Sequence, residues 1–259
     1  MDRFLRETLA WEAAEGPTRE RVAKWRARAN LVIPQGQRET WVEYMLERPL
    51  SLVYSMWYES DPRYQDAFRC VGQDVIDSAV ARYGGAVFVH THVGPYFASA
   101  TSIISDKVRL LIPVDGPFYP IAQELWNRWG TKPNLRYLIP VPTPNSEEFL
   151  TAIRNGYFPH FQVDHSYNPA VSPGRWARFV IEVATAQQWP LLPVSSRSLK
   201  PVGYETTIGT ALWTPDMRNV DASGIRAILN QWVRAHIAND AGRWWGWAHA
   251  TQLPNLLVE

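Results

Sequence analysis

Apolar positions along this chain fall into short continuous runs separated by longer stretches of helical periodicity. The clearest run is Ala86–Val89, apolar at every position, as in a strand covered on both faces. Similar runs cover Ala86–His90, Val108–Val114, Leu135–Val141, Phe158–Val163 and Pro190–Val194. Between them lie helix-compatible segments at Tyr96–Ser105, Pro117–Trp129, Ser146–Arg154 and Gly174–Gln188. This alternation predicts an α/β protein with a mainly parallel central sheet flanked by helices. Tyr204–Trp213 reads as an extra edge strand. Asp221–Ile237 reads as an amphipathic helix, with Ile225, Ile228, Leu229, Trp232 and Val233 on one side.

The N-terminal part has a different pattern. Residues 1–35 read as helical and amphipathic. Thr18–Leu31 sets Arg19, Arg21, Lys24, Arg26 and Arg28 around a stripe of Val22, Trp25 and Ala29. Two readings stay open: a solvated face packed on the domain, or a docking helix for an anionic surface such as phospholipid or an acidic carrier protein. Residues 40–60 read as further apolar helix, divided at Pro49. Asp61–Tyr83 reads as a helix with an Asp61-Pro62 start. The expected organisation is one domain over residues 1–259, with a helical N-terminal part (1–60) and an α/β core (61–259).

Composition narrows the function classes. The 259 residues are 46% apolar and 20% charged, which supplies a core of ordinary size. A formal net charge of +1 offers no global field for nucleic acid. The single cysteine, Cys70, excludes an intrachain disulfide and a cysteine-rich metal site. No apolar run approaches about 18 residues, so no transmembrane segment is expected. The 13 tryptophans imply large aromatic surfaces in a core, a groove or an interface.

Polar residues collect where the predicted strands end. His90 and His92 follow the first, and Asp115 the second. Asp164 and His165 follow the fourth, and Ser195, Ser196 and Arg197 the fifth. Open α/β sheets bind ligands outside the carboxyl ends of their strands, so four such loops describe one site. Gly94 permits a sharp turn after His92, and Pro95 suits a first helical turn, which would set His92 near the positive end of a helix. Ser195 and Ser196 lack the strand–Gly-x-Ser-x-Gly elbow of a nucleophile and read as hydrogen-bond donors.

Four segments, in order over residues 40–255, carry a family resemblance. They are Val87-Phe88-Val89-His90-Thr91-His92-Val93-Gly94-Pro95-Tyr96, Ile153-Arg154-Asn155-Gly156 leading to Val163-Asp164-His165, Trp176-Ala177 through Pro190-Leu191-Leu192-Pro193-Val194, and Arg243-Trp244-Trp245-Gly246-Trp247-Ala248-His249. With these the chain resembles the lysophospholipid acyltransferase superfamily, within it the branch of lipid A biosynthesis (lauroyl/myristoyl) acyltransferases. The resemblance implies acyl transfer from an acyl carrier protein or coenzyme A thioester to a hydroxyl or amine. The acceptor would be a small molecule or carrier-tethered. The thioester would be a co-substrate, with no cofactor. The implied setting is cytoplasmic, with peripheral contact at the inner face of the membrane.

The resemblance makes His92 the general base and places its acidic partner five positions later. That position holds Phe97, which accepts no hydrogen bond. Either another carboxylate orients His92, with Asp115 and Asp164 as the candidates, or the dyad is dispensed with. His90, Gly94, Tyr96, Ser195 and Arg197 are the expected substrate-binding residues. The chain departs from the branch in three further ways. It lacks the branch's transmembrane helix, Ala250 rather than Arg follows His249, and no Phe-Phe-Gly run follows Asp164. The pattern reads as a diverged relative with a different acceptor, in natural-product or lipid biosynthesis. Two rival readings stand beside it. One is a metal-dependent hydrolase using His90, His92, Asp164 and His165. The other is a non-catalytic binding relative. His249 and the C-terminal tryptophans read as packing.

Overall fold

The computed structural model describes residues 19–45, 68–95, 98–103, 108–114, 138–141, 146–164, 176–199, 203–244 and 246. Seven strands form one sheet: β1 (Phe68–Val71), β2 (Val87–His90), β3 (Arg109–Pro113), β4 (Leu138–Val141), β5 (Tyr157–Gln162), β6 (Leu191–Ser198) and β7 (Tyr204–Ile208). Their spatial order is β1-β7-β6-β2-β5-β3-β4. All pairings are parallel except β6 with β7. The described helices are α1 (Arg19–Val32), α2 (Gln73–Tyr83), α3 (Ala98–Ile103), α4 (Glu147–Arg154), α5 (Ala177–Gln187) and α6 (Ala222–Asn239), with a further helical stretch at 38–45. The protein is therefore α/β, with a mostly parallel sheet flanked by helices.

Strand β2 lies in the middle of the sheet, and all four of its residues are buried. That explains its unbroken apolar run, since parallel strands are covered on both faces. Helix α5 packs on β2 and against α6, α4 packs on β3 and β5, and α3 lies over β1, β6 and β7. Two helix starts are capped by side chains. Ser146 Oγ accepts the Phe149 N–H at 3.1 Å, and Asp221 Oδ1 accepts the Gly224 N–H at 2.8 Å. No helix among the described residues is long and apolar enough to cross a membrane.

The structure differs from the sequence expectations in three places. Phe68–Val71 is a strand at the sheet edge, not part of a helix over Asp61–Tyr83. The break is Gly72, at φ 89°, where a Cβ would lie 2.5 Å from the Ile208 carbonyl oxygen. β7 is not an edge strand. It lies between β1 and β6 and ends at Ile208, short of Trp213. β6 runs on to Ser198, because antiparallel β7 pairs Ser195, Ser196 and Arg197 with Thr207, Thr206 and Glu205. Those three polar residues are ladder positions, not a loop beyond a strand end. Pro95 sits in a bend after Gly94, and the start of the helix expected from Tyr96 lies outside the described residues. The helices expected over Pro117–Trp129 and residues 1–18 and 46–60 lie outside the described residues.

The close approach of Gly85 to its neighbours gives a direct test of packing before β2. A Cβ there would lie 2.5 Å from Trp189 Cε2 and 2.8 Å from Phe158 Cε1. Those two rings already meet edge to face at 5.3 Å. Chemical denaturation of Gly85→Ala is expected to show a loss of about 1–3 kcal/mol from overpacking. The control Gly36→Ala, where a Cβ meets open space, should change stability by less than about 0.5 kcal/mol.

Candidate functional site

Register builds the site. β2 and β5 pair with His90 opposite Gln162, and the Val163 N–H continues the ladder by donating to the His90 carbonyl at 2.9 Å. Two residues further on, the chains bring His92 and Asp164 side by side. His92 Nδ1 lies 2.8 Å from Asp164 Oδ1, and the His92 backbone N–H donates to Oδ2 at 2.9 Å. A third donor comes from the C-terminal part of the chain: Trp244 Nε1–H reaches Oδ2 at 2.7 Å. His92 and Asp164 are only 5% and 4% exposed.

The tautomer follows from these contacts. A backbone N–H and an indole N–H only donate, so Oδ2 accepts twice. Burial alone would push the Asp164 carboxyl up. The His92 ring beside it and the hydrogen bonds from His92 and Trp244 outweigh burial and hold it below its ordinary value. An ionised Oδ1 only accepts, so Nδ1 of His92 carries the proton and Nε2 of the neutral ring carries the lone pair. This is the arrangement in which a buried carboxylate orients an imidazole as a base at Nε2.

The turn after His92 is held from three sides. Gly94, at φ 63°, is pressed so close to β6 that a Cβ would lie 2.9 Å from the Ser196 carbonyl oxygen. Its N–H donates to the Arg243 carbonyl at 2.9 Å, and Val93 bridges to Trp244. Its carbonyl accepts the Tyr44 hydroxyl at 3.0 Å, and Trp41 Nε1–H donates to the Trp244 carbonyl at 3.0 Å. Only a residue without a side chain fits at position 94.

Beneath the pair lies a group of rings. His90 packs against His160 with centroids 4.3 Å apart and the rings tilted by 31°, and its centroid is 6.4 Å from that of His92. Burial, with the neighbouring histidines His160, His92 and His236, keeps the His90 imidazole well below its usual value. Burial takes His160 down to about 3. His236, on α6, is also lowered by burial, while Asp164 and Asp240 pull it the other way. Its ring stacks on Trp232 at 5.3 Å.

The expected site residues separate accordingly. His92, Asp164 and Gly94 come together in one hydrogen-bonded unit. His90 lies beside them, buried against His160. Arg197 donates through Nε to Glu205 Oε1 at 2.7 Å and is 68% exposed. Arg69 holds the other oxygen of Glu205 at 2.7 Å, so the two arginines and Glu205 form one row across β6, β7 and β1. Ser196 Oγ lies 3.0 Å from Thr206 Oγ1, and Ser195 pairs in the ladder with Thr207. Asp115, Tyr96, Phe97, His165 and His249 lie outside the described residues. Among the described residues, no group of three or more His, Cys, Asp or Glu is arranged to hold a metal ion.

Sequence reasoning missed His160, His236, Trp41 and Tyr44, and read Trp244 as packing. The signal for Trp244 was its place in the Arg243–His249 segment, one of the four that carry the resemblance. Nothing local marks the others, because their role comes from the elements that meet at the strand ends. The sequence matches no protein-family model and no curated protein.

The buried imidazoles set an acid limit. His160, at about 3 when folded, titrates in the unfolded chain near 6.5. Between those values the unfolded state binds a proton that the folded state refuses. Stability from this group is therefore complete above about pH 6.5 and falls as the pH drops, by about 1.4 kcal/mol per pH unit. His90 contributes in the same direction. Denaturation curves between about pH 6 and pH 4 are expected to fall less steeply for His160→Phe than for the wild type, by about 1.4 kcal/mol per pH unit. Parallel slopes would mean that His160 is charged in the folded protein.

Proposed function

We propose that the protein is an acyltransferase, moving an acyl chain from a thioester donor to a hydroxyl or amine acceptor with His92 as general base. One observation carries the reading: the 2.8 Å contact between His92 Nδ1 and a buried Asp164 carboxylate beyond the carboxyl end of the central parallel strand. The ordered segments that resemble the lysophospholipid acyltransferases supply the donor chemistry. Asp164 takes the orienting role that Phe97 cannot fill.

The steps follow from the tautomer. Nε2 removes the proton of the acceptor hydroxyl or amine as its oxygen or nitrogen attacks the thioester carbonyl carbon. The new bond gives a tetrahedral oxyanion. Its collapse breaks the carbon–sulfur bond and expels a thiolate, which takes the proton from the imidazolium. Asp164 stabilises the imidazolium between these steps and stays ionised. The products are the acylated acceptor and the free thiol of the carrier protein or coenzyme A.

Mutation of the pair tests the reading. Purified protein is incubated with acyl carrier protein or coenzyme A thioesters and a panel of alcohols and amines, and acceptor-dependent thiol release is followed. Wild type should release thiol, and His92→Ala should release none above background. Asp164→Asn should fold but lose about 10²–10⁴-fold in kcat. In that variant, an amide oxygen facing the two Oδ2 donors turns an NH2 group toward Nδ1, which selects the wrong tautomer. Absence of transfer by the wild type to every acceptor overturns the proposal.

A further inference from the structure

The residues that hold the His92–Asp164 pair in shape come from segments far away in the chain. Asp164 Oδ2 is filled by two donors, the His92 N–H and Trp244 Nε1–H. With both lone pairs occupied the carboxylate cannot rotate, and Oδ1 stays aimed at Nδ1. Trp244 therefore fixes the carboxylate directly. What fixes Trp244 is the helical stretch 38–45, since Trp41 Nε1–H donates to its carbonyl across 203 positions of sequence. The same stretch sends the Tyr44 hydroxyl to the Gly94 carbonyl. The Gly94 N–H is bonded to Arg243, next to Trp244. Trp41 and Trp244 are fully buried, and Tyr44 nearly so.

We propose that Trp41 and Tyr44 are positioning residues. Together with Trp244 they form a hydrogen-bonded clamp that joins the 38–45 stretch and the 241–244 segment to the turn after His92, and so holds the imidazole and the carboxylate in working alignment. The Trp41 and Tyr44 hydrogen bonds end on backbone carbonyls that set the path of the turn and the seat of the Trp244 ring. Loss of either donor leaves a buried carbonyl without that partner and lets the turn or the indole shift. A shift of a fraction of an ångström suffices to lengthen the Nδ1 to Oδ1 contact. Misplacement of about 1 Å can cost roughly 100-fold in rate.

This inference rests on the acyltransferase reading only for its kinetic arm. The structural arm uses the full-length protein labelled with ¹⁵N at histidine. An Nδ1 proton held against a buried carboxylate gives a far-downfield proton resonance, which His92→Ala assigns. Tyr44→Phe and Trp41→Phe each remove one donor and keep a ring. The expected result is that this resonance broadens or disappears in both, while circular dichroism shows the folded state. Where transfer is measured, kcat should fall about 10–100-fold with KM within about twofold. Tyr44→Phe loses a single oxygen, so it carries the test if Trp41→Phe does not fold. An unchanged His92 resonance in folded Tyr44→Phe overturns the proposal and leaves Tyr44 with a purely structural role. Failure to find any transfer refutes the acyltransferase reading and leaves the resonance test of the clamp in force.

Discussion

The organising constraint is the register between β2 and β5. Because His90 sits opposite Gln162, the chains leaving those strands carry His92 and Asp164 into contact although 72 positions separate them. A slip of one residue would turn alternate side chains to the other face of the sheet and separate the pair. The register is in turn enforced by burial. Val87, Phe88, Val89, Phe158 and Phe161 lie in the close-packed core, which a shifted alignment would disrupt.

A buried carboxylate is expensive, and the surroundings show how the expense is met. Three donors converge on Asp164, which replaces the water that burial removes. His90 and His160, packed on one another beside His92, are held below their usual values by the same burial. Stability at low pH is the sacrifice. The arrangement ties chemistry and folding together: the carboxylate that orients His92 is also a hub joining β2, β5 and the 241–244 segment.

Much of the architecture was legible from periodicity. Continuous apolar runs located β2, β3, β4, β5 and the start of β6, and the helical period located α4, α5 and α6. The failures share a cause. Phe68–Val71 was absorbed into a helix because four residues carry too short a signal, and only the positive φ at Gly72 separates strand from helix. Ser195–Arg197 looked like a polar loop because polar ladder residues resemble turn residues until an antiparallel partner is known. The same neighbour relation places Arg197 against Glu205, so its charge cannot be read from β6 alone.

The sequence by itself determined the alternation of strand and helix, the position of His92 beyond an all-apolar strand, and the need for glycine at the turn that follows. These are local matters, set by period and backbone freedom within a few residues. It left both Asp115 and Asp164 as candidates to orient His92, and gave no hint that Asp164 meets it or that Trp41, Tyr44 and Trp244 gather there. Only the tertiary structure decided those points, because which side chains touch depends on strand order and register, and these are set by the collective burial of a core assembled from the whole chain.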